Sequence, residues 1–464
     1  MRHVFSVILL TLLSVCLFGE LLDFIPNDYD FFLLFRDNGT YYSKISSVPF
    51  FNFLLNEQGL GLEYVTKSLL ENIGYSTRVS PQVIYDTLSK NVLFASKGIV
   101  FEVQSLFSID VNYYIEALRN IGTASILVFE TEEPEKLLKM IAGITNLKLS
   151  NVGGTWVLQD TDVAIFARYH KGYLVMSGSK NALERAIDVY DRPTDQFVTK
   201  YSVRELVNQS AWISGFFRGN SFGINIPGVG DNSFETDYFT VNGVLTEESL
   251  RLEIKQHLKK NIDLNKYLSS SSTMRNMPFI GNFAFSSTVS GPSDIAQGIS
   301  WWFQGAQEEI RKIYQIISSI LDVSKDRVYL TGDLTGESVR FAAIFALAGD
   351  FDANLIRSYG AREFGDELRL PIMNGFVSFF KQGKDLIVTN MTKDEYQKLS
   401  NRRRLRDDSA YQYISKGFPE KDIMRIYIDL GNLIESMLGV KARGRLLFSQ
   451  FVDSGVIVYR VEVM

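Results

Sequence analysis

Two residue types that carry much of protein chemistry are nearly missing here: the chain of 464 residues has one cysteine and three histidines. The cysteine, Cys16, lies inside an N-terminal apolar run, so a mature chain cut beyond it would have none. That excludes disulfide stapling, thiol catalysis and cysteine-based zinc or iron–sulfur sites from the body. Two histidines fall outside the N-terminal run, His170 beside Lys171 and His257 two residues from Lys255 and Lys259, on unrelated strand candidates. A Ser-His-Asp triad holds its histidine between a nucleophile and a carboxylate, and no spacing here supplies that. Charge of one sign is also scarce in runs. The formal balance is −5 and well mixed, which argues against nucleic-acid binding. No second apolar run approaches 18 residues without a charge or turn, so no integral membrane domain is expected apart from the leader.

Phosphate-binding glycine loops are missing as well. Gly228-Val229-Gly230 lacks the third glycine and following helix of a dinucleotide motif. Gly178-Ser179-Lys180 lacks the first glycine of a P-loop, and Ser179 reads instead as a helix N-cap. No cofactor and no metal site is expected.

What the chain does have begins at its start. Arg2 and His3 precede the apolar run Val4 to Phe18, followed by Gly19 and Glu20. At about 15 residues the run is short of the roughly 20 needed to span a bilayer and suits a signal-peptide core. Residues 1–19 therefore read as an export signal, and the chain as periplasmic or cell-surface. Cleavage after Gly19 or after Cys16 both remain open. So does a lipid anchor on Cys16, although Val15 is bulky for that reading, and so does an uncleaved anchor.

The body repeats itself weakly. Lys171 to Ser177 precedes a helix Asn181 to Tyr190, and Gly383 to Thr389 precedes a helix Lys393 to Leu399. Ala124 to Phe129 with a helix Thr131 to Met140 matches Phe341 to Leu347 with a helix Asp352 to Tyr359. Arg192 to Asp195 leads to a strand Ala211 to Phe217, and Arg406 to Asp408 leads to a strand Ile423 to Asp429. Gly172 and Gly383, like Asp195 and Asp408, are separated by about 212 residues. Each half closes in a hairpin, Tyr238 to Leu245 with Ser249 to His257, and Arg445 to Phe451 with Gly455 to Val463. The openings match through Pro26 before Phe31 to Phe35, and Pro278 before Phe279 to Phe285. The expected architecture is α+β: two related halves, each a mixed or mainly antiparallel sheet packed with helices and ending in a β-hairpin. The expected divisions are 20–260 and 277–464, joined by a link over 261–276 whose serine run Ser269 to Ser272 is the most linker-like composition.

The halves differ in their insertions. The first has helix candidates Tyr64 to Asn72, Pro81 to Ser89 and Val111 to Asn120, with a hairpin around Lys97-Gly98 formed by Val92 to Ala95 and Ile99 to Val103. The second has one long amphipathic helix, Ser293 to Leu321, with Phe303, Ala306, Ile310, Ile313, Ile317 and Ile320 on one stripe. Trp301 and Trp302 at its start make a candidate interaction surface, because paired indoles favour interfaces. Arg402, Arg403 and Arg404, with Arg406 nearby, form the one basic cluster, which reads as a solvated helix end or a contact to an acidic polymer or lipid headgroup. Aromatic residues are plentiful, at 34 Phe and 22 Tyr, enough for large cores or a broad binding surface. Carboxylates such as Glu130 with Glu132, or Asp160 with Asp162, could serve a glycosidase only if paired across a cleft. Asp350 and Asp352 have the spacing of calcium ligands without the rest of a calcium loop.

This pattern resembles an uncharacterised family of bacterial extracytoplasmic proteins known as a domain of unknown function. The resembling features are the signal segment, the opening Phe24-Ile25-Pro26-Asn27-Asp28, the unit Tyr173 to Tyr190, the segment Arg192 to Tyr201 and the strand Ala211 to Phe217. The resemblance implies the duplicated α+β arrangement and no site. The expected function is an exported envelope protein that binds a partner, a lipid or an envelope polymer without catalysis. The alternative is a carboxylate-based hydrolase of an envelope glycan.

Overall fold

The structure is a computed structural model that describes residues 21–98, 122–161, 163–203, 211–219, 235–270, 272–289, 308–335, 339–372 and 375–464. The expected signal segment 1–19, Trp301, Trp302, Asp162, Gly228, Gly230 and the partners expected for the Lys97-Gly98 hairpin lie outside these residues. The chain divides into two compact units: residues 1–47, 54–224 and 236–247, and residues 48–53, 225–235 and 248–464.

The first unit contains β1 (Phe31–Phe35), α1 (Asn38–Ile45), α2 (Leu62–Thr77), α3 (Gln82–Ser89), β2 (Val92–Ser96) and β3 (Ser125–Glu130). Then come α4 (Pro134–Thr145), β4 (Lys148–Val152), β5 (Thr155–Gln159), β6 (Ala164–His170), β7 (Tyr173–Ser177), α5 (Lys180–Tyr190), β8 (Ile213–Arg218) and β9 (Thr236–Leu245). Its strands pair in the order β9-β8-β1-β2-β3-β7-β6-β5-β4, every pairing antiparallel. Both edges of β2 are taken, by β1 and β3, so the expected hairpin from Val92 to Val103 does not form on it. The reach of local pairing misled there: an apolar run beside a Lys-Gly turn also suits a central strand whose neighbours come from afar.

The second unit contains β10 (Leu250–Leu258), β11 (Ser269–Ser270), β12 (Phe283–Thr288), α6 (Glu308–Asp322), β13 (Ser324–Asp333), β14 (Arg340–Leu347) and α7 (Ala353–Ser358). It continues with β15 (Arg362–Phe364), β16 (Glu367–Ile372), β17 (Gly375–Gln382), β18 (Asp385–Thr389), α8 (Lys393–Ser400) and α9 (Ser409–Ile414). It ends with β19 (Lys421–Asp422), β20 (Met424–Ile428), α10 (Leu430–Leu438), β21 (Leu446–Asp453) and β22 (Val456–Val463). The order is β10-β22-β21-β20-β12-β13-β14-β18-β17-β16-β15, again antiparallel throughout.

Strand for strand, β21-β20-β12-β13-β14-β18-β17-β16-β15 repeats β9-β8-β1-β2-β3-β7-β6-β5-β4. The halves are related, as the spacing implied. The register agrees in detail. Phe31 faces Ser96 on one side and Phe217 on the other, and Phe283 faces Gly332 and Ile428. Even the isolated bridges recur, Pro26 with Gln196 and Pro278 with Arg404.

Helices cover both faces of each sheet, which is why its central strands are apolar at consecutive positions and not only at alternate ones. On β3, Ile126 and Val128 join one core with Phe32, Val175, Leu183 and Phe197; Leu127 and Phe129 join the other with Leu137, Leu138 and Met176. On β14, Ala342 and Ile344 lie in a core with Tyr396 and Tyr427, while Phe345 lies in one with Ile316, Ile320 and Leu321 of α6. The described part of the long second-half helix therefore covers its own sheet. Ile320 is fully buried, and Ile313 and Ile317 are half-buried against the same core.

Turn chemistry sets the hairpins. Ser454 (φ 51°) and Gly455 (φ 80°) form the two-residue turn between β21 and β22, and Lys171 (φ 49°) and Gly172 (φ 93°) join β6 to β7. Positive φ at both central positions matches the twist of the flanking strands. Among the described residues, no helix is long and apolar enough to cross a membrane.

Candidate functional site

The second unit's central strands put polar residues on an otherwise apolar face. Successive side chains of a strand point to opposite faces, so residues two apart share one. Ala284 and Ser286 on β12, Arg327 and Tyr329 on β13, Ala342, Ile344 and Ala346 on β14, and Arg425 and Tyr427 on β20 share the face packed by Met274, Tyr411 and Ile414. Two arginines in that phase are unusual, because a buried cation needs partners.

The partners come from distant segments. Arg327 Nε donates to Ser286 Oγ at 2.7 Å. Its Nη1 donates to Ser269 Oγ at 3.0 Å, Ser269 O at 3.2 Å and Asp422 O at 3.0 Å. Its Nη2 donates to Ser286 O at 3.3 Å and lies 2.7 Å from Asp422 Oδ1. Asp422 Oδ2 lies 2.6 Å from Arg425 Nε and accepts from Ser449 Oγ at 3.4 Å. Arg425 Nη2 donates to Pro419 O at 2.6 Å. The side chains of Asp422 and Arg425 are 0% exposed and that of Arg327 is 4% exposed. Burial is the largest influence on Asp422 and Arg327, pushing the carboxyl up and the guanidinium down, and their mutual contacts oppose it. Two guanidinium groups and one carboxylate leave one uncompensated positive charge. Arg425 Nη1 is buried with no hydrogen bond among the described residues.

Beside this cluster is a cavity of about 280 Å³. Met274, Met277, Tyr329, Ile344 and Ala346 form its apolar wall, and Ser269, Ser270, Ser286, Asp326 and Arg327 form its polar side. The short ladder of β11 with β19, Ser269 facing Asp422 and Ser270 facing Lys421, holds the serines over the cluster. Tyr329 donates its hydroxyl to Pro278 O at 2.6 Å, and burial pushes that phenol well above its ordinary pKa. Such a site can hold a ligand. A nucleophilic serine would need a base beside it, and neither described histidine lies among the lining residues.

The first unit has a different answer at the same place. By register, Ser214 stands where Arg425 does, Leu34 where Ser286 does and Leu93 where Tyr329 does. The buried cation there is Arg36, just past β1. It donates to Ser214 Oγ at 2.5 Å and Ala211 O at 3.3 Å, and burial lowers its pKa to about 10.

The residues singled out by sequence are mostly occupied structurally. Trp301 and Trp302 lie outside the described residues. Arg403 pairs with buried Asp408 at 2.5 Å, and Arg404 donates to Asn276 O at 3.1 Å. Arg406 donates to Asn276 Oδ1 at 3.1 Å. These three hold the turn before α9; the Arg402 side chain makes no hydrogen bond or ion pair among the described residues. Glu130 and Glu132 line an open hollow of about 310 Å³ with Asp86 and Glu133. Lys90 lies 4.0 Å from Glu130 and 3.4 Å from Glu132, whose side chain is 88% exposed. A glycosidase acid needs burial to stay protonated, which Glu132 lacks. Asp352 caps α7 by accepting from Asn354 N at 2.8 Å, and Asp350 meets Lys381 at 3.1 Å. His170 packs edge-on against Phe24 and Tyr190, and burial lowers its pKa. Among the described residues no three potential metal ligands cluster. Ser179 does cap α5, accepting from Ala182 N at 3.4 Å.

Sequence reasoning missed the Arg327–Asp422–Arg425 cluster. The signal was present: in Arg327-Val328-Tyr329 and Arg425-Ile426-Tyr427 each arginine shares the phase of a buried tyrosine.

No family model and no curated protein matches the chain. Two solved structures, crystal forms III and I of TP0453, are similar at 12% identity. They cover 41% and 42% of this chain and 93% and 94% of their own, with TM-scores of 0.25 and 0.26. At those scores nothing about this chain rests on the likeness.

Proposed function

We propose that the chain is an exported, non-catalytic binding protein whose second unit takes a small, largely apolar ligand such as a lipid fragment. The observation that carries this reading is the cavity of about 280 Å³, walled by methionine, tyrosine and aliphatic side chains with a few polar groups on one side. That composition suits ligand binding, though the volume is at the small end of the range. The buried cluster beside it fixes the polar side in place. Export follows from the leader Arg2 to Gly19, and the duplicated scaffold supplies the rigid strands that hold the wall.

The test uses the full mature chain and 1-heptanol, followed by NMR or calorimetry. Binding is expected, and Ala346→Phe, which fills the cavity from β14, abolishes it while leaving the thermal midpoint within a few degrees. Absence of binding by heptanol and by its carboxylate and amine analogues alike, or binding that Ala346→Phe leaves intact, overturns the reading.

A further inference from the structure

The polar side of the cavity is built to donate hydrogen bonds. A serine hydroxyl offers one donor and two acceptor lone pairs. Ser286 Oγ and Ser269 Oγ each accept from Arg327, at 2.7 and 3.0 Å. Neither hydroxyl donates to any described residue, so both protons are uncommitted at a cavity that both serines line. All of Arg327's own N–H groups are engaged by protein, so the guanidinium acts through the serines it polarises. Behind them the cluster carries one positive charge in excess. Asp326 is the carboxylate among the lining residues, and it is exposed, where water and salt screen it.

We infer that this cavity selects an amphipathic monocarboxylate: an aliphatic chain along Met274, Tyr329 and Ile344, with its carboxylate accepting from Ser269 and Ser286. The inference rests on the binding role proposed above and adds the chemistry of the head group. Two hydroxyl donors backed by a buried net cation complement an anionic acceptor, whereas an ammonium head placed against the same serines would meet a repelling charge. A volume of about 280 Å³ holds about nine water-sized groups at roughly 30 Å³ each, which sets the chain near seven carbons.

The experiment titrates the full mature chain with heptanoate, 1-heptanol and heptylamine at neutral pH. Heptanoate is expected to bind at least tenfold more tightly than heptanol, and heptylamine more weakly than both. Ser269→Ala is expected to weaken heptanoate about tenfold, the worth of one hydrogen bond to a charged group, and to leave heptanol unchanged. Ser286→Ala serves as a second variant, used if its thermal midpoint stays close to that of the parent. Equal affinity for heptanoate and heptanol, or a Ser269→Ala variant that weakens both alike, overturns the head-group inference and leaves the apolar cavity standing. Failure of all three probes to bind removes the binding role itself.

Discussion

Both units lay their strands out in one order and bury a guanidinium at one end of the same central strands, but they surround it with different residues. In the first unit Arg36 donates to Ser214 Oγ and Ala211 O. In the second, Arg327 and Arg425 share the carboxylate of Asp422. The same backbone thus holds a single buried guanidinium in one unit and an Arg–Asp–Arg triad in the other. Leu34 and Leu93 stand in the first unit where Ser286 and Tyr329 stand in the second. The cavity's polar side belongs to the copy with the triad, so the polar elaboration and the candidate site go together.

The largest effect that can break this comparison is removal of the shared carboxylate. Asp422→Asn leaves two buried arginines without a counter-charge and is expected to destabilise the second unit by about 3–5 kcal/mol, as breaking a buried pair does. Denaturant unfolding monitored by hydrogen exchange in β12, β13 and β20 reads it. Arg36→Met in the first unit removes the guanidinium that donates to Ser214 Oγ and Ala211 O and should cost less, about 1–2 kcal/mol. Equal losses would mean that the two arrangements are energetically alike.

A second contrast is in acid. Burial pushes the Glu367 carboxyl up, but Arg369 at 2.8 Å, the Ser378 hydroxyl and the Lys393 amide outweigh it and hold the pKa below the ordinary range. A folded pKa below the unfolded one contributes stability that is present above the unfolded value, about 4.3, and lost as pH falls through the folded value. Thr155 occupies the corresponding place on β5 and does not titrate. Acid should therefore loosen β16 and β17 before β5 and β6. Glu367→Gln should flatten that pH dependence, as read by exchange rates across the acid range.

The smallest contrast is at two equivalent helix starts. Ser179 caps α5 alone, whereas Thr392 caps α8 in a reciprocal pair with Glu395, accepting from its N–H at 3.3 Å while Glu395 accepts from Thr392 N at 2.9 Å. Ser179→Ala should cost about 1 kcal/mol, and Thr392→Ala somewhat more because both halves of the box go. Thermal midpoints of the two variants provide the comparison.

Much of this fold was legible in the sequence because its strands and their turns are local. Apolar runs such as Ser125–Glu130 and Tyr173–Ser177, the Ser454-Gly455 turn and the serine at Ser179 announce themselves within a few residues. The duplication was legible because a fixed spacing survives when identity does not. Strand β13 was not, since its first four residues, Ser324-Lys325-Asp326-Arg327, are polar and Arg327 is satisfied only by groups far along the chain. The site was illegible for the same reason. Ser269 read as part of a link, and it has a role only because β11 meets β19 across 150 residues of sequence. The arginine cluster Arg403-Arg404 drew notice by its charge, while its contacts are internal.

Strand β10 carries a consequence for shortening the chain. It closes the first half by sequence, yet it is paired along Leu250–Gln256 with the final strand β22 in the second unit. A gene cut back to one period would release residues 277–464 with β22 bare: eight residues including Val456, Val458, Val461 and Val463, their backbone donors and acceptors open to any other strand. Such an edge recruits its own kind. Residues 277–464 made alone are therefore expected to self-associate through β22.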